Sequence, residues 1–338
     1  MQKINFEAGS EEKFIKFIKN ISDKDKTALI SHIDLDGIAS AKVAESVIKH
    51  NLLKLVNYEE VNERLTKELR DKKINKVIFI DISITNPAIV EGIEKFAEIL
   101  IIDHHVFEKE LNSDKTTFIN AKEYCAAYLS YVLFSKIKNI ENLDWLVACA
   151  CVADVAYKNI PTFMKKIYEK YSLNEIKIRP FVKKLAYTLI YFEDNLKRAY
   201  DLINNKISCV EKLEKYSKEV EKEVVNLINN FEKEKNVYGK NEDIYFWEFE
   251  TKFHIKPIVS TILSFKNPDK TFIFISSRDE GYSISARRQD KKVDLPKLLK
   301  KLLKGFEDSS SGGHIPAAGG YFLKKDLPEF RKRLEEIA

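Results

Sequence analysis

Three consecutive residues, Asp103-His104-His105, close an apolar run over 97–102. A carboxylate and two imidazoles offer oxygen and nitrogen donors, a ligand set that suits a divalent ion such as Mn²⁺. One triplet is weak evidence, but it has company. His32, Asp34 and Asp36 stand at i, i+2 and i+4 beyond the apolar stretch 27–31. On a strand that persisted so far, all three would face one side, with Ile33 and Leu35 on the other. The competing reading is a strand end whose Asp caps the next helix; a cap accounts for one carboxylate and leaves the others unexplained. Asp81 closes another apolar run, 76–80. Asp154 follows Ala150-Cys151-Val152-Ala153, and a carboxylate within a buried helix is costly unless paired or metal-bound.

These groups need elements to hold them. Apolar periodicity predicts helices over 10–20, 38–50, 61–72, 123–136 and 142–157, and a further helix opening at Thr85-Asn86-Pro87. Short apolar runs predict strands over 27–31, 52–58, 76–83, 97–102 and 116–119, the last ending at Asn120. Strand–helix alternation of this kind implies an α/β fold with a parallel, doubly wound sheet. Asp34/Asp36, Asp81 and Asp103/His104 then all emerge at strand carboxyl ends on one edge of the sheet, where open α/β sheets place their sites.

Helices over 162–203 carry few ligand-type residues. Leu213, Tyr216, Val220, Val224, Leu227 and Phe231 recur at three- and four-residue steps, predicting an amphipathic helix whose stripe packs on a domain or a sister chain. The segment Asn236-Val237-Tyr238-Gly239-Lys240-Asn241 breaks that pattern. Beyond it, strands over 244–250, 271–276 and 281–286 and helices over 257–265, 295–303 and 326–337 predict a smaller second α/β domain. Its chemical centre is a Ser/Gly-rich loop, Ser309 to Gly320, containing Gly312-Gly313-His314. Small residues let backbone N–H groups approach a phosphate, and an imidazole adds a donor.

At this point the order His-x-Asp-x-Asp-Gly, strand-end Asp, Asp-His-His and helical Asp resembles the DHH phosphoesterases over 27–157. Asp36-Gly37 resembles their RecJ-like, single-strand exonuclease branch; members acting on oligonucleotides and cyclic dinucleotides usually carry another residue after the second Asp. Gly312-Gly313-His314-x-x-Ala317-Ala318-Gly319 resembles the signature of the DHHA1 domain, and Ser285-Ala286-Arg287 its Ser-x-Arg strand, Arg287 being suited to bidentate phosphate recognition. The resemblance implies a DHH domain with a helical extension over 1–205, a helical linker over 206–236 and a DHHA1 domain over 237–338. It also implies two Mn²⁺ ions, with Mg²⁺ as a substitute. By position, His32 and Asp34 would bind the first ion, Asp36, His104 and Asp154 the second, and Asp81 would bridge. His105 would lie over the substrate phosphate, and Asp103 would orient a ligand imidazole. Ser285, Arg287, Gly312, Gly313 and His314 would hold the terminal nucleotide.

The implied activity is single-strand exonuclease action on DNA or RNA, releasing nucleoside 5′-monophosphates. A second reading is a phosphodiesterase for short oligoribonucleotides, 3′-phosphoadenosine phosphate or cyclic dinucleotides, since those members also have only two domains. A third is a non-catalytic scaffold in replication or repair, opposed by the filled ligand positions. A repair helicase or replisome protein is the expected partner, and the 210–231 helix would serve a homo-oligomer or pack within the chain.

Composition sets bounds on these readings. A chain of 338 residues defaults to two domains, and a net charge of +5 permits a polyanionic substrate without requiring one. The apolar runs are too short to cross a membrane, and the start lacks a signal-peptide core, so a cytoplasmic protein is expected. Cys125, Cys149, Cys151 and Cys209 lack C-x-x-C spacing and read as small hydrophobes. His50 reads as a helix-end cation. His254 is a weaker candidate for the site, and Arg278 and Arg288 are candidate phosphate helpers.

Overall fold

The computed structural model describes residues 4–239 and 243–337. Lys240 and Asn241, part of the expected break, and Met1 to Lys3 of the expected leaderless start lie outside the described residues. The chain divides into two compact units, residues 1–217 and 218–338, each with its own hydrophobic core.

The strands of the first unit are β1 (Thr27–His32), β2 (Leu52–Val56), β3 (Lys76–Ile80), β4 (Glu98–Asp103) and β5 (Thr116–Asn120). They pair in parallel, in the order β2-β1-β3-β4-β5. Its helices are α1 (Glu11–Lys19), α2 (Leu35–Glu45), α3 (Glu63–Asp71), α4 (Pro87–Glu94), α5 (Ala126–Phe134), α6 (Asp144–Ala153), α7 (Pro161–Tyr171), α8 (Glu175–Tyr191) and α9 (Leu196–Leu202). Alternation along the strands sorts side chains onto the two faces. Ile78, Ile80, Leu100 and Ile102 join α1, α2, α5 and α6 in one core, while Val77, Phe79, Ile99 and Ile101 join α3 and α4 in the other. The expected doubly wound sheet is present, and its strand order reverses between β1 and β3.

Helix α10 (Cys209–Glu234) runs from the first unit into the second. Leu213, Val220, Val224 and Phe231 are buried and Tyr216 and Leu227 half-buried, so most of the expected apolar stripe packs within the chain. The second unit adds β6 (Asn236–Tyr238), β7 (Ile244–Glu248), α11 (Lys256–Lys266), β8 (Thr271–Arg278), β9 (Gly281–Arg287), α12 (Leu295–Leu302), β10 (Ser310–His314), β11 (Ala317–Leu323) and α13 (Leu327–Ile337). Its sheet is mixed, in the order β10-β11-β9-β8-β7-β6. One face packs Ile284, Ala286, Ala318 and Phe322 on α12 and α13. On the other, Phe231 of α10 meets the rings of Phe272 and Phe274.

Four local expectations fail. Strand β1 stops at His32; Asp34 is the N-cap of α2 and Asp36 lies in its first turn, so strand alternation does not group the three ligand-type residues. The helix begins early because Gly37 packs on the end of β1, where an added Cβ would collide with the His32 carbonyl oxygen. Asp154 is not within a buried helix but at the C-cap of α6, with 31% of its side chain exposed. His50 lies past the end of α2, and burial lowers its pKa, which removes the helix-end cation. The Ser/Gly segment is not a loop but the hairpin β10–β11, turning at Ile315 and Pro316.

Candidate functional site

The reversal point of the first sheet brings the ends of β1, β3 and β4 side by side. Ser31 is in register with Ile80, and Ile80 with Ile102. The residues that follow are therefore neighbours: His32, Asp81, and the run Asp103-His104. Asp81 leaves β3 with a φ of 59° and donates its N–H to the Ile102 carbonyl at 2.9 Å. That turn carries its carboxylate between two imidazoles. Oδ1 lies 3.3 Å from His104 Nε2 and Oδ2 3.8 Å from His32 Nδ1. Asp34 Oδ2 is 3.1 Å from His32 Nδ1, while its Oδ1 caps α2 by accepting from Gly37 N–H at 2.9 Å. The capping reading and the cluster reading of Asp34 are both realised, one on each oxygen. Asp36 Oδ2 and Asp154 Oδ2 lie 3.7 and 3.6 Å from His104 Nε2.

Among the described residues, three sets could each hold a metal ion, their donor atoms lying within 4.8 Å of one another: His32/Asp34/Asp81, Asp36/His104/Asp154 and Asp81/His104/His105. Asp81 and His104 are each shared by two sets. All eight candidates of the first unit are thus brought together; His105 reaches the cluster's edge, its Nδ1 2.7 Å from Asp103 Oδ1.

Electrostatics show what the cluster lacks. Burial, then repulsion from Asp154 and Asp34, pushes the Asp36 carboxyl up to about 8, although it accepts N–H bonds from Ala127 and Ala126. Burial, then Asp36 and Asp34, raises Asp81 well above the carboxylate range. Burial raises Asp154 more than His104 offsets, and burial lowers His104 despite the surrounding carboxylates. At Asp34 burial pushes upward, but the contacts to His32 and Gly37 outweigh it and the pKa falls. Asp103 raises the pKa of His105 by accepting its proton in a hydrogen bond. His32 Nδ1 and Asp81 Oδ2 are buried and make no hydrogen bond. Mutually repelling carboxylates with orphaned donor atoms are what a divalent cation would satisfy, so the residues fit such an ion.

Three positioning residues escaped the sequence reading. Ser31 Oγ donates to the carbonyls of Gly37 and Ile80, at 2.8 and 3.1 Å, tying α2 and β3 to β1. Asn120 Nδ2 donates to the His105 carbonyl at 2.9 Å. Tyr58 stacks on His32 with centroids 4.5 Å apart, and its hydroxyl lies 3.2 Å from His105 Nε2. Asn120 had a faint signal, since a polar residue closing a buried strand aligns with Asp103. Tyr58 had none.

In the second unit, β9, β11 and β10 align the remaining candidates in adjacent rows. Ser285 opposes Gly319, which opposes Gly312; Arg287 opposes Ala317, which opposes His314. All six share one face of the sheet. Ser285 is buried beneath α11, its Oγ 2.9 Å from Ser260 Oγ. Arg287 is half-buried, its Nε 3.3 Å from Thr261 Oγ1. A Cβ at Gly312 would meet nothing within 4 Å, so the backbone there is open to a ligand. Gly313 points to the opposite face with a φ of 132°. His254 is exposed. Arg278 is exposed and 3.9 Å from Asp279, whereas Arg288 is no solvated helper: it is buried and bonded to Asp290, Asp243 and Thr271.

Residues 26–171 match the DHH family, N-terminal domain, and residues 243–338 match the DHHA1 domain. The chain carries a DHH-family N-terminal domain followed by a DHHA1 domain. Exonuclease RecJ bound to manganese shares the fold with a TM-score of 0.70 at 13% identity, over 99% of this chain and 95% of that one. RecJ from Thermus thermophilus in complex with Mn²⁺ gives 0.68 at 13% identity over 97% of this chain. This chain spans about half (54%) of that protein's length. CDC45 from Entamoeba histolytica gives 0.64 at 9% identity, over 96% and 98% of the two chains. Comparison with curated proteins finds no match. No helix among the described residues is long and apolar enough to cross a membrane.

Proposed function

We propose that the protein is a divalent-metal-dependent phosphodiesterase acting as a single-strand exonuclease on DNA or RNA. The observation that carries this reading is the group of carboxylate–imidazole sets sharing Asp81 and His104 at the sheet's reversal point. His32, Asp34 and Asp81 would hold one cation, and Asp81, Asp36, His104 and Asp154 a second. A bound pair of Mn²⁺ or Mg²⁺ ions lowers the pKa of water and stabilises the attacking and leaving oxygens of an in-line displacement. The protein's own groups orient and shield that chemistry. Ala126 and Ala127 N–H groups hold Asp36, Gly37 N–H holds Asp34, and the β3 turn holds Asp81. His105, whose pKa Asp103 raises through their hydrogen bond, would supply a donor to a phosphate oxygen. Hydrolysis adds water across the P–O3′ bond, leaving the phosphate on the 5′ oxygen of one product and a free 3′-hydroxyl on the other.

Arg287, His314 and the open backbone at Gly312 would recognise the terminal phosphate, with Ser285 buried behind them on the same face. The separation of a catalytic unit, 1–205, from a linker, 206–236, and a substrate unit, 237–338, belongs to the same proposal. So do an intracellular setting and a helicase or replisome partner. Filled ligand positions weigh against a non-catalytic scaffold.

The test is digestion of end-labelled single strands, DNA and RNA, from dinucleotides to a few tens of nucleotides, with Mn²⁺ and with chelator. Mononucleotides released progressively from long strands are expected, and the labelled end gives polarity. Cleavage confined to the shortest substrates would replace the exonuclease with a short-oligonucleotide phosphodiesterase. No Mn²⁺-dependent cleavage of any strand would sink the enzymatic reading.

A further inference from the structure

Beside the metal-type cluster lies a cavity of about 330 Å³ whose walls include Tyr58, Val61, Ser83, Ile84, Thr85 and His105. His105 belongs both to this wall and to the set it forms with Asp81 and His104. A nucleoside attached to a phosphate at the cluster is therefore within reach of the cavity. We infer that this cavity receives the nucleobase next to the phosphate under attack, stacked on Tyr58. The inference rests on the nuclease reading and extends it to a base subsite in the first unit.

The lining suits a base of any identity. Tyr58 is 41% exposed although its ring stacks on His32 and its hydroxyl meets His105, so one aromatic surface is pinned yet open. Aromatic stacking tolerates every base because each has a π-face. Val61 and Ile84 supply apolar flanks. Ser83 and Thr85 supply hydroxyls, which donate or accept and so match the polar edge of any base. The same contacts make Tyr58 a positioning residue for His105, since seating a base fixes the ring that the imidazole touches.

The test separates binding from cleavage. Trinucleotides carrying 2-aminopurine, or an abasic sugar, at each position in turn are bound by the full chain in chelator and cleaved by it in Mn²⁺. Fluorescence quenching is expected at one position, and an abasic sugar there should weaken binding by about tenfold or more, as loss of a stacked base does. Tyr58→Ala should abolish both effects, and Tyr58→Phe should keep them. Val61→Trp, which fills the cavity while leaving Tyr58 and His105 in the chain, should bind intact and abasic strands equally. Quenching at no position, or a base preference that survives both Tyr58→Ala and Val61→Trp, would overturn the subsite. If the protein cleaves nothing yet quenches one base, the subsite stands and the nuclease reading falls.

Discussion

Asp81 shows how a single residue is tuned against its own stability. It is 1% exposed, its Oδ2 has no hydrogen-bond partner, and four other carboxylates, Asp36 and Asp34 foremost, repel its charge. Its φ of 59° is a left-handed conformation that Asp and Asn adopt more readily than Ala. Asp81→Asn is therefore a cleaner probe than Asp81→Ala, because it removes the charge and keeps the turn. Metal-free Asp81→Asn is expected to be more stable than wild type at pH 8, because the amide avoids the cost of ionising a buried carboxyl whose pKa is raised. Its turnover should fall on the order of a thousandfold or more, and it should lose the stabilisation that Mn²⁺ gives wild type. Urea unfolding with and without Mn²⁺ checks all but the rate. A substitution that destabilised the metal-free protein would show that Asp81 is held by contacts rather than reserved for a cation.

At the scale of elements, the two halves of the Gly312-Gly313 pair do opposite jobs. Gly313 sits at a φ of 132°, and a Cβ there would press on Ala317 and Ala318 of the facing strand. Gly312 has open space and no such constraint. Gly313→Ala should cost about 1–2 kcal/mol or more for the forced backbone alone, visible as a lower melting temperature. Gly312→Ala should leave stability within about 0.5 kcal/mol while weakening binding of a phosphate-terminated strand. Equal stability losses would show that the pair serves the hairpin only. The hairpin also marks where sequence reading stops. Ser and Gly have little strand propensity, so β10 and β11 exist only because β9 offers an edge to pair with. The apolar strands of the first unit carry their own signal, and with them the convergence of Asp81, Asp103 and His104 was legible. The grouping of His32, Asp34 and Asp36 was legible for the wrong reason: a strand–helix turn packed against Gly37 places them, rather than strand alternation. Asn120 closes β5 and Tyr58 lies in the short helical turn after β2, so both reach the site through a strand order that no local pattern encodes.

At the scale of the whole molecule, the cluster couples folding, protons and metal. In the unfolded chain Asp36 titrates near 3.8; in the folded, metal-free protein its carboxyl is pushed up to about 8. Asp81 shifts in the same direction. Across the window between those values the folded state binds more protons than the unfolded one, so stability is greatest at the acid end and is lost as pH rises. His105, raised by Asp103, has the same sign above its ordinary 6.5. His104 opposes it only below 6.5, where the unfolded imidazole would be charged. The clean window is therefore pH 6.5 to 8. The second unit runs the other way at higher pH. Burial lowers Lys256 from 10.5 to about 8, so the unfolded chain binds the extra proton there and that unit gains stability above pH 8. Metal-free protein should thus lose stability from pH 6.5 to 8 in the first unit. Mn²⁺ should remove the loss, because a cation replaces the protons and binds more tightly as the ligands ionise. Hydrogen exchange resolves the two units in one experiment: amides of β1, β3 and β4, together with Ala126 and Ala127, should gain protection with Mn²⁺ at pH 8. The second sheet, β7 to β9, should be unchanged by the ion. Protection that is indifferent to Mn²⁺ in the first unit, or metal-free stability that rises across the window, would mean that the carboxylates are satisfied without a cation.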